Sequence, residues 1–238
     1  MIPKPVPAFA PLFSGRKVIV FDLDGTLLDT ADDIRQAISD ALADCGHAPL
    51  PPGYVLPNLH GVFPQSLLAV MAKEGIADSE REPLTARYRH HYSARAHRST
   101  RPFPGVVDFL RDCRARGLRL GVCTNKRHKA ALQALSLCGI DGFFEHVSGS
   151  DTVERTKPDP LPLLQAFEAL GATPQEALYV GDSHVDAESA SRAGVPFLLF
   201  TEGYGIAAEL SRYPAAASFG SYAELAAALA AALTGREG

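Results

Sequence analysis

The chain alternates short apolar segments with segments of helical length, and this alternation restricts its possible folds more than any other feature. The apolar segments are rich in β-branched residues and too short for helices, as buried parallel strands are; they cover residues 17–21, 118–123, 177–180 and 195–200. Helical patterns lie between them at residues 106–116, 126–137 and 160–170. Because alternating strands and helices form βαβ units, the sequence predicts an α/β protein with a doubly wound parallel sheet.

One interval interrupts this alternation directly after the first strand. From residue 31 to residue 100 no strand-like segment occurs, whereas helical patterns occur at residues 34–45, 65–74 and 82–98. We therefore predict an inserted α-helical cap domain over residues 32–100, a core domain made of residues 16–31 and 101–238, and hinges near Thr30 and Arg101. Residues 1–15, with prolines at positions 3, 5, 7 and 11, are predicted to form an N-terminal extension with an extended backbone.

Composition and charge narrow the range of partners. The formal net charge is -4 and the 23 basic residues form no long block, which argues against nucleic acid and against an anionic membrane surface as partners. No segment approaches the roughly 18 consecutive apolar residues of a membrane span, and the N-terminal prolines disfavour a signal peptide. The four cysteines show no metal-binding spacing. These features predict a cytoplasmic protein, a monomer or homodimer, whose partner is a small molecule.

Polar residues follow the predicted strands, and in a parallel sheet the carboxyl ends of the strands are where ligands bind. These residues are Asp22, Asp24, Thr124, Asn125, Asp182 and Asp186, and Lys157 lies directly before the predicted helix at residues 160–170. Asp22 and Asp24 are close enough to repel each other, so the pair needs a cation or a shared proton. Carboxylates from Asp182 and Asp186 beside this pair would suit a hard cation such as Mg²⁺.

These residues lie in four segments, around Asp22, Thr124, Lys157 and Asp182. Taken alone, each segment also has an ordinary structural explanation. Aspartate and glycine are common in turns, Thr124 or Asn125 could cap a helix, and Lys157 could be a solvated lysine. Asp186 could be a favourable charge at a helix N-terminus. The order and position of the four segments at one predicted sheet edge favour a functional site.

In this combination the segments resemble the haloacid dehalogenase superfamily of phosphotransferases that use an aspartate nucleophile. The motifs are DxDGT at residues 22–26, the threonine at position 124, the lysine at position 157 and GDxxxD at residues 181–186. Residues 101–106, 124–126, 156–158 and 181–183 resemble the phosphoglycolate phosphatase branch, as do Ala190, Ala193 and Gly194. That branch carries its helical cap between the first two motifs, where this chain has its helical interval.

The resemblance implies a role for each residue of the motifs. Asp22 is expected to attack phosphorus and become an aspartyl phosphate, and Asp24 to act as general acid and then as general base. Lys157 is expected to stabilise the transferred phosphate, which Thr124 and Asn125 also bind.

The resemblance also implies the cofactor Mg²⁺. Its expected ligands are the carboxylates of Asp22 and Asp182 and the backbone carbonyl of Asp24. Asp186 is expected to support these ligands from outside the coordination shell. The implied activity is that of a magnesium-dependent phosphomonoester hydrolase, with 2-phosphoglycolate as the expected substrate.

Other functions remain open at this point. Related phosphatases act on amino-sugar phosphates, nucleotides or pyrophosphate, and phosphosugar mutases share all four motifs. A protein of another class, a phospho-acceptor module without catalysis, is disfavoured by Asp24 and by the large helical interval.

The C-terminal part of the predicted cap is rich in basic residues. They are Arg87, Arg89, Arg95, Arg98, Arg101, His90, His91 and His97. One interpretation is a solvated helix face that acids elsewhere balance, and the other is that one or two arginines bind an anionic substrate tail such as a carboxylate. Zinc at the three histidines is disfavoured, because the segment lacks acidic partners. His184 occupies a variable position of its motif and receives no role.

Overall fold

A six-stranded parallel sheet lies at the centre of the protein, whose computed structural model describes residues 7–205 and 212–234. Its strands are β1 Val18–Phe21, β4 Arg119–Cys123, β5 His146–Ser148, β6 Ala177–Gly181, β7 Phe197–Phe200 and β8 Ala217–Phe219. A separate antiparallel ladder joins β2 Leu28–Asp29 to β3 Arg101–Pro102. In space the strands of the large sheet follow the order β5-β4-β1-β6-β7-β8. The predicted doubly wound α/β fold is confirmed.

The side chains of β1 alternate between two apolar clusters, one on each face of the sheet. Ile19 and Phe21 belong to one cluster, and Val18 and Val20 belong to the other. The first cluster is covered by α4 Val106–Ala115, α5 His128–Leu137 and α8 Tyr222–Thr234. The second is covered by α6 Leu161–Ala169 and α7 His184–Ala193. Because successive side chains of a strand point to opposite faces, an uninterrupted apolar strand requires helices on both sides.

Four strands agree with the predicted apolar segments to within two residues. Within the large sheet, the strands β5 and β8 have no predicted counterpart. Each is only three residues long, each lies at an edge of the sheet, and both contain polar side chains. Such short edge strands carry no run of apolar residues that a sequence pattern could reveal.

Residues 7–15 differ from the predicted extended conformation. A 3-10 helix, Ala10–Phe13, buries Ala10 and Phe13 in the cluster that contains Phe21, next to α8. Pro11 is compatible with this helix because its fixed φ suits a first helical turn. Burial of an aromatic side chain therefore outweighs the preference of a proline-rich segment for extended backbone. The prolines at positions 3 and 5 lie outside the described residues.

Three helices form the interval between β2 and β3: α1 Ala31–Asp44, α2 Gln65–Glu74 and α3 Arg81–Arg95. They enclose an apolar cluster of their own, which includes Ile38, Leu42, Leu67 and Leu84. Helix α1 packs mainly against α3. Within the described part of the chain, no helix is both long and apolar enough to cross a membrane.

The two chain segments that connect these helices to the sheet lie side by side. Leu28 pairs with Pro102 and Asp29 pairs with Arg101 in the β2–β3 ladder. The buried carboxylate of Asp33, in the first turn of α1, accepts hydrogen bonds from the backbone N–H groups of residues 99 and 100 at 3.0 and 2.8 Å. The entry and the exit of the helical segment are therefore held together at one point.

The packing of the N-terminal 3-10 helix can be tested by shortening Phe13. We expect Phe13→Ala to lower the free energy of unfolding by about 3–5 kcal/mol, because it removes a buried ring and leaves a cavity. Denaturant unfolding of the full chain measures this change. The matched control is Leu137→Ala, which shortens a side chain that is 62% exposed and should cost less than about 1 kcal/mol. Equal losses in both variants would contradict the observed packing.

Candidate active site

The residues predicted to form the site come together at the carboxyl ends of the central strands. Asp22 follows β1, Thr124 and Asn125 follow β4, and Asp182 follows β6, while Lys157 enters from the loop before α6. All five are at most 6% exposed. Strand β1 pairs with both β4 and β6, so three strand ends that are distant in sequence meet at one place.

Lys157 is the centre of the hydrogen bonding in this cluster. Its Nζ donates to Oδ1 of Asp22 at 2.8 Å, to Oδ1 of Asp186 at 2.6 Å and to the hydroxyl oxygen of Tyr179 at 2.8 Å. Burial alone would lower the pKa of Lys157, but the charges of Asp186 and Asp22 outweigh it and raise the pKa above its ordinary value. The side chain therefore stays an ammonium group.

Asp22 lies in an environment that disfavours its charged form. Burial raises the pKa of Asp22 from 3.8 to about 7, even though Lys157 acts in the opposite direction and the charges of Asp186 and Asp24 add to the increase. One ammonium group is therefore not enough to compensate the negative charge around Asp22. The carboxylate would be stabilised by a further cation beside it.

Asp182 is fixed by short hydrogen bonds to its two oxygens. The hydroxyl of Thr26 donates to Oδ1 and the backbone N–H of Tyr204 donates to Oδ2, both at 2.7 Å. The glycine of the DxDGT motif makes room for it: a Cβ on Gly25 would lie 2.5 Å from Oδ2, and the φ of +85° also favours glycine. Burial, with Asp186 and Asp22 adding to it, raises the pKa of Asp182 well above its ordinary value.

Asp186 uses both of its oxygens for hydrogen bonds within the protein. Oδ1 accepts from Lys157 and from the Tyr179 hydroxyl at 2.6 Å each, and Oδ2 accepts from the hydroxyl and N–H of Ser183 at 2.6 and 3.1 Å. Burial opposes ionisation, but Lys157 and these hydrogen bonds lower the pKa of Asp186. With about four acceptor positions on a carboxylate, this residue is suited to hold Lys157 rather than to bind a cation.

Asp24 lies at the same edge but has different partners. Its Oδ1 accepts from the hydroxyl of Thr30 at 2.7 Å and from Nζ of Lys126 at 2.8 Å. The Lys126 ammonium also lies 5.1 Å from the centre of the Tyr92 ring in α3. Asp24 is therefore held by the first connecting segment and by a partly buried lysine that touches the helical segment.

Two of these contacts involve residues to which the sequence analysis gave no role. Lys126 appeared only within a family-like segment, and its position next to Asn125 was the one local signal available. Tyr179 appeared only as a member of an apolar strand. The loop also differs from the prediction: α5 begins at His128 and not at residue 126, so Thr124 and Asn125 belong to a loop and not to a helix start.

The carboxylates of Asp22, Asp182 and Asp186 can offer oxygens within 4.8 Å of one another. Lys157 is the ammonium group in direct contact with two of them, so the cluster keeps excess negative charge. Within residues 7–205 and 212–234, no other group of acidic, histidine or cysteine side chains meets the same criterion for holding a metal ion. A donor set made of carboxylates fits a hard divalent cation.

The histidines around the helical segment have separate surroundings. His91 contacts Asp44 at 2.9 Å, and the buried His97 packs against the ring of Tyr92. His184 lies at the start of α7, where its ring meets that of His60 edge-on at 4.6 Å between centres. Each of these histidines therefore packs against a different neighbour.

A cavity of about 360 Å³ lies between the strand ends and the helical segment. Asp22, Asp24 and Thr124 line its floor, and Phe63, Tyr88, Arg89 and Tyr92 contribute from the helices and the loop before α2. Its volume is near the lower end of the range of roughly 300–1,000 Å³ for small-molecule pockets. The site is therefore suited to a small ligand.

A parallel α/β sheet with buried acids, a buried lysine and a small cavity at its carboxyl edge is typical of proteins that bind a small molecule. Comparisons with known proteins identify the chain further. The family model for haloacid dehalogenase-like hydrolases matches residues 19–200. Phosphoglycolate phosphatase from Cereibacter sphaeroides is 42% identical over 188 residues, which cover 78% of this chain and 85% of the relative. Phosphoglycolate phosphatase from Aquifex aeolicus is 35% identical over 188 residues, with 79% and 86% covered.

Solved structures show the same similarity. A predicted phosphoglycolate phosphatase from Haemophilus somnus superimposes with a TM-score of 0.82 at 26% identity, covering 89% of this chain and 97% of that one. The chain thus belongs to the haloacid dehalogenase-like hydrolase family, as the motifs predicted. It is a phosphatase, and phosphorylated small molecules are its substrates.

The raised pKa of Asp22 makes stability depend on pH when divalent cations are removed. At pH values between the ordinary pKa of 3.8 and the folded pKa of about 7, Asp22 carries a proton in the folded protein and has lost it in the unfolded chain. The contribution of this group to the free energy of unfolding is therefore fully present below about pH 4 and is lost as the pH rises through about 7. From pH 5 to pH 8 we expect this carboxylate to reduce the free energy of unfolding by about 2–3 kcal/mol, at about 1.4 kcal/mol per pKa unit.

The measurement is denaturant unfolding at pH 5 and pH 8 in a chelator, with Asp22→Asn as the control. The uncharged amide has no such proton to lose, so the variant should lack this part of the pH dependence. The same pH dependence in both proteins would contradict the described environment of Asp22.

Proposed function

We propose that this phosphatase is a magnesium-dependent phosphomonoester hydrolase that forms an aspartyl phosphate on Asp22, and that its substrate is 2-phosphoglycolate. The observation that carries the proposal is the position of Asp22, which is buried beside the Lys157 ammonium while it lines a small cavity together with Asp24. The names of the relatives support the choice of substrate.

In the proposed first step, a carboxylate oxygen of Asp22 attacks phosphorus and the substrate alkoxide leaves. Lys157 neutralises part of the negative charge that gathers as two anions approach each other. Asp24, two residues further along and also lining the cavity, gives a proton to the leaving oxygen. Because Lys157 is held by Asp186 and Tyr179, its charge is in position before the substrate arrives.

In the second step, water attacks the aspartyl phosphate and phosphate is released. Asp24 takes a proton from this water and so acts as a base. Thr30 and Lys126 hold its carboxylate at the cavity wall. In this proposal Asp22 is the nucleophile that forms the covalent bond, and Asp24 is the general acid and base that transfers the protons.

Mg²⁺ is the cation that we propose for the acidic cluster. Asp22, Asp182 and the backbone carbonyl of Asp24 would hold it, and when bound it would supply positive charge to the phosphate group. Asp186 would support this arrangement through Lys157 and Ser183, since its oxygens are already engaged.

Thr124 and Asn125 are proposed to bind phosphate oxygens at the strand ends. Both line the cavity beside Asp22. The Asn125 side chain donates to the backbone carbonyl of Lys157 at 3.1 Å, so its loop is tied to the loop that carries the catalytic lysine. The Thr124 hydroxyl and the Asn125 N–H are the donors that this proposal assigns to the phosphate.

We further propose that residues 32–100 act as a cap that closes over a core formed by residues 16–31 and 101–238, with residues 1–15 as an N-terminal extension. The separate apolar cluster of the helices and the paired connecting segments support this division. Closure would exclude water and select the leaving group. The cytoplasmic location and the monomeric or homodimeric state stay predictions from the sequence.

The choice of substrate is tested by turnover of a panel of phosphorylated metabolites with Mg²⁺. We expect kcat/KM for 2-phosphoglycolate to exceed, by about tenfold or more, that for an amino-sugar phosphate and a nucleotide, because a small cavity discriminates against larger leaving groups. Pyrophosphate, whose leaving group is as small as glycolate, is the competitor of equal size in the panel. Product analysis with a hexose phosphate separates a phosphatase from a mutase, which returns the phosphoryl group to the sugar. A higher kcat/KM for another compound would replace the proposed substrate without changing the chemistry.

The roles of the two acids are separated by Asp22→Asn and Asp24→Asn with an aryl phosphate, whose leaving group barely needs a proton. Asp24→Asn keeps the nucleophile but lacks the base for water, so we expect a burst of about one phenolate per site and accumulation of phosphoprotein. Asp22→Asn should show neither. Rapid acid quench and intact-mass measurement detect both signals.

The burst should require Mg²⁺, so a chelated sample is its control. Phosphorylation of Asp22→Asn, or turnover of Asp24→Asn at the parent rate, would show that the roles are assigned wrongly.

A further inference from the structure

Four basic side chains of α3 and of the segment after it have partners outside the cavity. Arg87 lies 3.9 Å and His91 lies 2.9 Å from the carboxylate of Asp44 in α1. Arg95 contacts two further acids of α1, at positions 33 and 40. Arg101 donates to backbone carbonyls of residues 98 and 100. For Arg87, His91 and Arg95 these contacts agree with the interpretation as a helix face balanced by acids.

Arg89 is different in position and in partners. Tyr88, Arg89, Tyr92 and Ser93 all line the cavity, and their spacing of one helical turn places them on one face of α3. None of the ion pairs found among the described residues includes Arg89. Its charge is therefore available at the cavity that also contains Asp22 and Asp24.

A stack of rings supports the Arg89 guanidinium. Its Cζ lies 5.4 Å from the centre of the Phe63 ring, which is stacked on the ring of Tyr88 at 4.8 Å and an interplanar angle of 21°. A guanidinium over an aromatic face is held without using its N–H groups. The planar group can then donate two parallel hydrogen bonds to a carboxylate.

The other cations that line the cavity are less suited to this task. Lys126 pairs with Asp24 at 2.8 Å, and Arg127 pairs with Asp151 at 3.1 Å. Lys129 of α5 also lines the cavity and, like Arg89, is an exposed residue, but an ammonium lacks the fork geometry that matches a carboxylate. Lys129 is therefore the alternative cation for binding a carboxylate in this cavity.

We propose that Arg89 is a specificity-determining residue that binds an anionic tail, a carboxylate, on the leaving group of a small phosphomonoester. The inference rests on the proposed function, because it requires the phosphate group of the same ligand to bind beside Asp22. It assigns the two charges of the substrate to two walls of the cavity, with the phosphate at the strand ends and the carboxylate at α3.

The test compares two phosphonates that a phosphomonoester hydrolase does not cleave. Phosphonoacetate carries a carboxylate where ethylphosphonate carries a methyl group. Their dissociation constants are measured by calorimetry in Mg²⁺ for the parent and for Arg89→Gln. We expect the parent to bind phosphonoacetate roughly ten- to hundredfold more tightly, as for a charge-assisted hydrogen-bonded pair, and Arg89→Gln to bring this ratio to about one. Arg89→Lys should retain part of the preference.

Two further variants serve as matched controls. Arg87→Gln removes a neighbouring charge that faces Asp44, and it should leave the ratio unchanged. Lys129→Gln removes the competing cation of the cavity and should change the ratio by less than about threefold. A parent without preference for phosphonoacetate, an unchanged ratio in Arg89→Gln, or a larger loss in Lys129→Gln would each overturn the proposal.

This experiment is independent of turnover. If the parent binds the phosphonates as expected but does not hydrolyse 2-phosphoglycolate, the proposed substrate fails and the assignment of Arg89 stands. If the parent hydrolyses 2-phosphoglycolate and Arg89→Gln keeps the preference for phosphonoacetate, the proposed function stands and the assignment of Arg89 fails.

Discussion

The site depends on the ion pairs of Lys157. Three carboxylates lie within 4.8 Å of one another in a buried place, and such a cluster is stable only if cations compensate it. Lys157 bridges Asp22 and Asp186, which leaves Asp22 and Asp182 with raised pKa values. The unbalanced negative charge that would destabilise the fold also makes this acidic cluster suited to a cation.

A second network connects this cluster to the helical segment. The backbone N–H of Tyr204 donates to Asp182, while its hydroxyl accepts from the N–H groups of Thr30 and Ala31. Thr30 in turn donates to Asp24. The start of α1 is therefore tied to both acids through a few hydrogen bonds, which link the position of this helix to the geometry of the site.

Local sequence patterns are enough to identify much of the site. Asp22 and Asp182 each follow an apolar strand, and such strands are recognisable because every residue is buried on one face or the other. The same patterns give no role to Lys126 and Tyr179, because the importance of these residues lies in contacts with Asp24 and Asp186, which come from other strands or helices. The 3-10 helix around Phe13 escapes prediction for the same reason, since its stability comes from packing against α8.

The sequence by itself determined the parallel α/β fold, the helical interval after β1 and the set of acids and lysine at the strand ends. These follow from periodicity and from residue types at strand ends, which are local properties of the chain. Only the tertiary structure decided that the oxygens of Asp186 accept hydrogen bonds from Lys157 and Ser183. It also decided that Arg89 faces the cavity while Arg87 faces Asp44. Neighbouring arginines on one helix look alike in sequence, and they differ only because α1 packs on one side of α3 and the cavity lies on the other.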